Sequence, residues 1–375
     1  VRVVHLIDSG GYYGAEVMLV HLCNAQKKLG LNVEVISIGT PGNYEKPLEA
    51  KLRENDIPCK PWRMMALPDL RQSLKILAYC RETGADVIHS HGYKGNILLG
   101  LIPKRWRGLP VITTVHGYTR QKGFSKLAVY QWLDRLCLKR LDAVVLVSEG
   151  MRHQVNETSL GNKLHVIPNG IPEEIPEAAN EPIPYFQDSD FKIAAIGRLS
   201  YEKNFQLLIN AMPLILEKIP NAKLVIFGEG PERASLESLI ADLKLEEKAF
   251  LPGYIDEPSR VYRHADVFVN CSLTEGMPIT LLEAMREGCP TIAADIPANR
   301  YLIENLSTAM MLVKHDKEDI STSIISIQMQ SSKPDKISLT HFKNNLTAEI
   351  SSLEYQKLYF KYFPKQSTGH IQCKS

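Results

Sequence analysis

Short continuous apolar runs alternate along this chain with segments whose apolar positions recur every three or four residues. VRVVHLI, NVEVISIG, DVIHSHG, PVITTVHG and AVVLVS each end in a turn containing Gly, His or Ser, as strands buried on both faces do. Between the first two, EVMLVHLCNAQKKLG carries helical spacing at Val17, Leu19, Val20, Leu22 and Ala25 and stops at Gly30. The same spacing predicts helices around 70–83, 93–102 and 124–140. Regular strand–helix alternation predicts a doubly wound parallel sheet that receives ligands outside the carboxyl ends of its strands.

The rhythm breaks in HVIPNGIPEEIPEAANEPIPYFQDSD, where Pro168, Pro172, Pro176, Pro182 and Pro184 stand among acids. Such a stretch reads as an interdomain linker. The alternation then restarts. FKIAAIGRL, AKLVIFGEG, KAFLPGY, ADVFVNCS and CPTIAAD are predicted strands, with helices over 203–218 and 231–243 and near 257–263 and 278–287. The predicted organisation is an N-terminal α/β domain over 1–170, a linker over 171–190, a second α/β domain over 191–341, a terminal helix over 342–363 and a frayed tail over 364–375. No site can be placed in the polar stretch 314–341. Two such domains enclose a cleft between facing strand ends.

Composition narrows the classes little. The 375 residues are 44% hydrophobic with a net charge of +2, enough for two cores and no global reason for a nucleic-acid partner. Seven scattered cysteines without a C-x-x-C pair argue for a reducing compartment and against a disulfide framework or zinc site. The opening VRVVHLIDSGG enters a strand at once and does not read as a signal peptide.

Candidate chemistry gathers at predicted strand ends of the second domain. GRLSYEKN places Gly197, Arg198 and Lys203 where a strand passes into a helix, and two cations converging there suit a diphosphate. In IFGEGPE, Gly228 and Glu229 lie in a turn bare enough for a ligand to approach, although tight turns use glycine for purely structural reasons as well. LTEGMPITLLEAMREG sets Glu275, Gly276 and Met277 before a helix with Pro278 at its first position, so free N–H groups and the helix dipole face an anion. Glu275 could accept sugar hydroxyl bonds there, and Glu283, on the second turn, a ribose diol. The alternative is ordinary helix capping with a solvated glutamate.

Glu275 and Glu283 as E-x7-E, preceded by G-R-L-x-x-x-K-N, F-G-E-G-P-E and V-I-P-N-G, resemble the retaining glycosyltransferases of family 4. SGGYYGAE, DVIHSHG and the VHG ending at Gly117 are similar to that family as well. The likeness runs from about residue 1 to 300; the glycine pair common after the strand ending near Asp295 is absent. It implies the GT-B fold: two Rossmann-like doubly wound parallel-sheet domains facing across a cleft. It also implies roles. Arg198 and Lys203 would neutralise the leaving nucleotide diphosphate. Glu283 would bind the donor ribose, and Glu275 the transferring sugar, helped by the backbone of Gly276 and Met277. Gly10 and Gly11 would close on the phosphate side, His116 would sit across the cleft near sugar and acceptor, and Tyr254 of LPGY would line the base pocket.

The expected activity is metal-independent, retaining transfer from a nucleotide-sugar, a UDP-sugar, to a glycan or lipid-linked saccharide in surface-polysaccharide synthesis. No cofactor or metal is expected: Asp188 and Asp190 form a D-x-D on the wrong side of their strand, and His5, His89, His91 and His116 lack the spacing of a zinc helix. Transfer to a small soluble acceptor and non-catalytic sugar-nucleotide binding stay open as alternatives. A basic, aromatic stretch from Tyr118 to Arg140 (Arg120, Lys122, Phe124, Lys126, Tyr130, Trp132, Arg135, Lys139, Arg140), with Lys104, Arg105, Trp106 and Arg107, reads as a solvated face or as a peripheral contact with anionic membrane. The latter suits a cytoplasmic protein at the inner face of the membrane. No nucleic-acid module is recognisable.

Overall fold

In the computed structural model, which describes residues 1–42, 45–65, 69–117, 126–303, 309–312, 314–330 and 336–363, the chain builds two parallel sheets. The first contains β1 (Arg2–Asp8), β2 (Asn32–Gly39), β3 (Cys59–Arg63), β4 (Val87–His91), β5 (Val111–Val115), β6 (Ala143–Leu146) and β7 (Leu164–Val166), in the order β3-β2-β1-β4-β5-β6-β7. The second contains β8 (Phe191–Ile196), β9 (Ala222–Phe227), β10 (Ala249–Gly253), β11 (Val267–Asn270), β12 (Thr291–Ala294) and β13 (Ala309–Leu312), in the order β10-β9-β8-β11-β12-β13. The order reverses beside β1 in one sheet and beside β8 in the other, and an open parallel sheet binds ligands at such switch points. Central strands are buried on both faces, as the continuous apolar runs require: every residue of β4, β5, β6, β11 and β12 is buried.

Three strands were not foreseen, β3, β7 and β13, and each is at a sheet edge. Edge strands need no apolar run. β3 reads CKPWR, with Pro61 tolerated where one side of the ladder is unpaired. The stretch 314–341 includes the helix Lys317–Gln330, which packs against the helix Phe205–Lys218 and buries Ile320, Ile324 and Ile327.

The expected single terminal helix is two. Lys336–Asn345 ends before Leu346, and Ala348–Tyr362 begins anew with the Thr347 hydroxyl capping the Ile350 N–H. The break has a cause: Ile171 and Thr347 form a parallel bridge, with Ile171 N–H bonded to Leu346 O at 3.1 Å and Ala348 N–H to Ile171 O at 2.9 Å. The chain thus leaves the first sheet and returns to it through one hydrogen-bonded double crossing. The second helix lies on Gly14–Lys28 and buries Tyr355, Leu358 and Tyr359 against the first unit, as a helix crossing back should. The tail over 364–375 lies outside the described residues.

Candidate functional site

The loop carrying Glu275 is fastened to the turn carrying Lys203 before either side chain acts. Leu273 N–H donates to Glu202 O at 2.8 Å, and the Cys271 thiol sits 3.3 Å from the carbonyls of Lys203 and Asn204. Asn204 adopts a left-handed φ of 54°, which turns the chain from Lys203 into the helix Phe205–Lys218. Lys203 then donates to Glu275 Oε1 at 2.5 Å, and the Ser272 hydroxyl donates to the same oxygen at 2.7 Å. Glu275 Oε2 has no partner among the described residues. The Lys203 stem lies over Gly197, where a Cβ would come within 3.4 Å of it. Arg198, next in sequence, is exposed and reaches across the cleft, its guanidinium 5.3 Å from the centre of the Tyr13 ring in the glycine loop after β1.

The helix beyond Glu275 begins at Ile279, one residue later than expected. Pro278 has an extended ψ of 118° and is the cap, its carbonyl accepting from Leu281 N–H at 3.2 Å. The N–H groups of Gly276, Met277, Ile279 and Thr280 have no hydrogen-bond partner among the described residues, so the anion-ready terminus is present. Its carbonyls are held from the first unit: Ser148 donates to Gly276 O at 2.8 Å and the Asn169 amide to Met277 O at 3.4 Å. Asn169 belongs to V-I-P-N-G, and this contact gives that motif a physical purpose. Gly276 is obligatory, since a Cβ would lie 2.0 Å from His116 O. Among the expected residues, Lys203, Glu275, Gly276, Met277 and His116 therefore come together, with Arg198 adjoining. Gly14, at the end of the Gly10–Gly11 loop, faces Ile279, its Cβ position 3.7 Å from that side chain.

Glu283 is half-buried rather than freely solvated. It packs into the second unit and accepts from the Tyr262 hydroxyl at 2.8 Å; burial, opposed by that bond, raises its carboxyl to about 7. Tyr254, 58% exposed, stands near Glu283 and Lys51, and partial desolvation, with Asp256 close by, raises its hydroxyl. Glu229 is diverted: both carboxylate oxygens meet Arg233 at 2.7 Å. The glycine of its turn has a structural role, because Gly228 has a φ of 144° and a Cβ there would stand 1.8 Å from Gly197 O.

The acids of D-x-D remain remote: Asp190 pairs with Lys223 at 3.0 Å, ahead of β8. His5, His89 and His91 are near enough to share an ion, but each ring nitrogen already has a hydrogen-bond partner, which fits a neutral core network better than a ligand set. Tyr118, Arg120, Lys122 and Phe124 lie outside the described residues. Sequence reasoning missed Ser272, Ser148 and Tyr262. Only Ser272 was signalled, by its place three residues before Glu275.

Two Rossmann-like units whose switch points face a lysine, an arginine and an open helix terminus define a GT-B glycosyltransferase. Residues 12–175 match the model "Glycosyltransferase Family 4" and residues 177–340 the model "Glycosyl transferases group 1". The chain belongs to glycosyltransferase family 4. It is 28% identical over 296 residues, 75% of this chain and 76% of the other, to the Escherichia coli UDP-Gal:alpha-D-GlcNAc-diphosphoundecaprenol alpha-1,3-galactosyltransferase. It is 24% identical to the Escherichia coli O-antigen biosynthesis glycosyltransferase WclY, over 92% of this chain and 98% of that one. In fold it resembles Anabaena Alr3699/HepE in complex with UDP-glucose, at 16% identity, a TM-score of 0.79, and coverage of 96% and 99%.

Proposed function

We propose that this glycosyltransferase moves a hexose from a UDP-sugar to a lipid-linked saccharide, without a metal and with retention of anomeric configuration. The observation that carries the reading is the Lys203–Glu275 pair at the open helix terminus. Breaking the sugar–diphosphate bond develops negative charge on the leaving oxygen. Lys203, Arg198 and the free N–H groups supply fixed positive charge there, the task a metal performs in other transferases. A donor diphosphate would draw Lys203 from Glu275, freeing the carboxylate for sugar hydroxyls. Glu283 would take the ribose and Tyr254 would flank the base. Retention fits same-face attack, with the leaving phosphate receiving the acceptor proton.

The UDP-galactose and diphosphoundecaprenol in the name of the Escherichia coli relative support the choice of donor and acceptor. So does one helix face. Val129, Trp132 and Leu136, spaced three and four apart on Lys126–Leu138, are 51%, 60% and 44% exposed, and Trp106 is exposed beside Lys104 and Arg105. An apolar stripe with cations beside it suits insertion into an anionic interface. No described helix is long and apolar enough to cross a membrane.

The test is transfer from UDP-, GDP- and ADP-sugars to diphosphoundecaprenol-linked saccharide, with EDTA, and product stereochemistry by NMR. Full activity in EDTA with a UDP-sugar and a retained anomer is expected. An inverted product, metal dependence, or transfer only to a soluble acceptor would refute the corresponding part.

A further inference from the structure

On the face of the first sheet covered by Gly14–Lys28 and Ala348–Tyr362, polar side chains form a single-file chain inside an otherwise apolar core. His116 Nε2 lies 3.3 Å from His91 Nδ1, His91 Nε2 is 2.9 Å from His5 Nδ1, and His5 Nε2 is 2.8 Å from Gln26 Oε1. Gln26 Nε2 donates to the Tyr359 hydroxyl at 2.9 Å, which lies 2.8 Å from His89 Nδ1; His89 Nε2 is 2.8 Å from Thr114 Oγ1. Thr114 meets the Tyr355 hydroxyl at 2.7 Å. His5, Gln26, His89, His91, Thr114, Tyr355 and Tyr359 are all buried.

A neutral imidazole donates from one nitrogen and accepts at the other, and an amide oxygen only accepts. Gln26 Oε1 therefore requires a hydrogen on His5 Nε2, which leaves His5 Nδ1 bare. His91 must then donate from Nε2 and accept at Nδ1, and His116 must donate from Nε2. One amide thus sets three rings. A doubly protonated His5 or His91 would face a neighbour's hydrogen, and burial alone holds the end ring neutral, lowering His116, like His5, to about 4. His116 Nδ1 has no partner among the described residues, and the His116 carbonyl abuts Gly276 beside Glu275.

We propose that Gln26, His5 and His91 are positioning residues that fix His116 as its Nε2–H tautomer, so that it offers the cleft a bare acceptor at Nδ1. This rests on the glycosyltransferase reading, which already sets His116 near the sugar; a bare nitrogen there can accept from a hydroxyl but has nothing to offer a carboxylate or an ionised phosphate oxygen. Tyr359 ties the far end of the file to the terminal helix.

Long-range proton–nitrogen spectra of the full chain labelled with imidazole nitrogen-15 read each tautomer without substrate, with His116 assigned by its loss in His116→Asn. His5, His91 and His116 are expected to carry hydrogen on Nε2 alone. Gln26→Leu removes the acceptor that sets the file, so His116 should show both tautomers. Turnover should fall about tenfold, the worth of one hydrogen bond, with UDP affinity unchanged. Gln26→Glu keeps an acceptor toward His5 and should restore both the tautomer and turnover, although a merely structural role for Gln26 would make a buried carboxylate the more harmful change. A wild-type His116 with hydrogen on Nδ1, or Gln26→Leu with an unaltered His116 signal, would overturn the proposal. An inactive protein with the expected tautomers would instead refute the catalytic reading.

Discussion

Replacing Glu283 by Gln should stabilise the empty protein while weakening its grip on the donor. The carboxyl is raised from 4.5 to about 7 by burial. Between those values the folded chain holds a proton that the unfolded chain has lost, so stability falls as pH rises through this window and levels off above about 7. At 1.36 kcal/mol per unit the cost of the buried charge reaches about 3 kcal/mol at pH 8. Gln cannot ionise, and its amide oxygen can still accept from Tyr262, so the variant escapes that cost. The assay is denaturant unfolding of both proteins between pH 4.5 and 8.5, with UDP titrated at pH 8. The variant should match the parent near pH 4.5 and gain up to about 3 kcal/mol by pH 8. UDP should bind roughly ten- to a hundredfold more weakly, since a bond to a charged acceptor is worth about 1.5–3 kcal/mol. In the parent, UDP affinity should rise with pH through about 7, as the ribose-accepting form of Glu283 becomes populated. A variant no more stable at pH 8 than at pH 5, relative to the parent, would refute the reasoning.

Lys203→Ala should lower turnover by a factor of about a hundred or more, because one preorganised cation is lost where leaving-group charge develops; near-parental turnover in a folded variant, measured by donor consumption, would contradict this. Gly228→Ala should cost at least about 2 kcal/mol, because φ is 144° and the new Cβ meets Gly197 O, and it should show in thermal unfolding. Trp132→Ala should reduce flotation with anionic vesicles while leaving UDP binding intact; undiminished flotation would remove the exposed stripe from the docking surface. Gly170→Ala would set a Cβ 2.1 Å from Thr347 O at the double crossing, so it should alter turnover and donor KM together, in steady-state kinetics.

What the sequence disclosed and what it withheld follow one physical division. Strands buried on both faces announce themselves as unbroken apolar runs, so ten strands could be placed from pattern; the three that could not are edges, two of them carrying polar residues (CKPWR and LHV) and the third, AMML, only four residues long. Lys203 and Glu275 were legible because their loops carry turn chemistry next to strong strands. Their pairing was not, since it depends on Cys271 and Leu273 bonding the turn 67 to 71 positions earlier. Glu283 shows the limit most clearly. Spacing placed it on the second helical turn, but whether that turn faced water or Tyr262 depended on the packing of Ser259–His264.

The two connections between the units were the least legible feature, and the site depends on them. The prolines of 168–184 read as an interdomain linker. Yet at Ile171 the outgoing chain pairs with the returning one at Thr347, and two residues earlier Asn169 holds Met277 beside the open helix terminus. The returning segment then delivers Tyr355 and Tyr359 to the histidine file that ends at His116. A rotation of one unit against the other about this crossing would therefore act on both walls of the cleft at once: on the amides behind Glu275 and, through the terminal helix, on the ring of His116. Any such rotation would reach both the amides behind Glu275 and the acceptor nitrogen of His116, through a bridge whose two residues lie 176 positions apart in the chain.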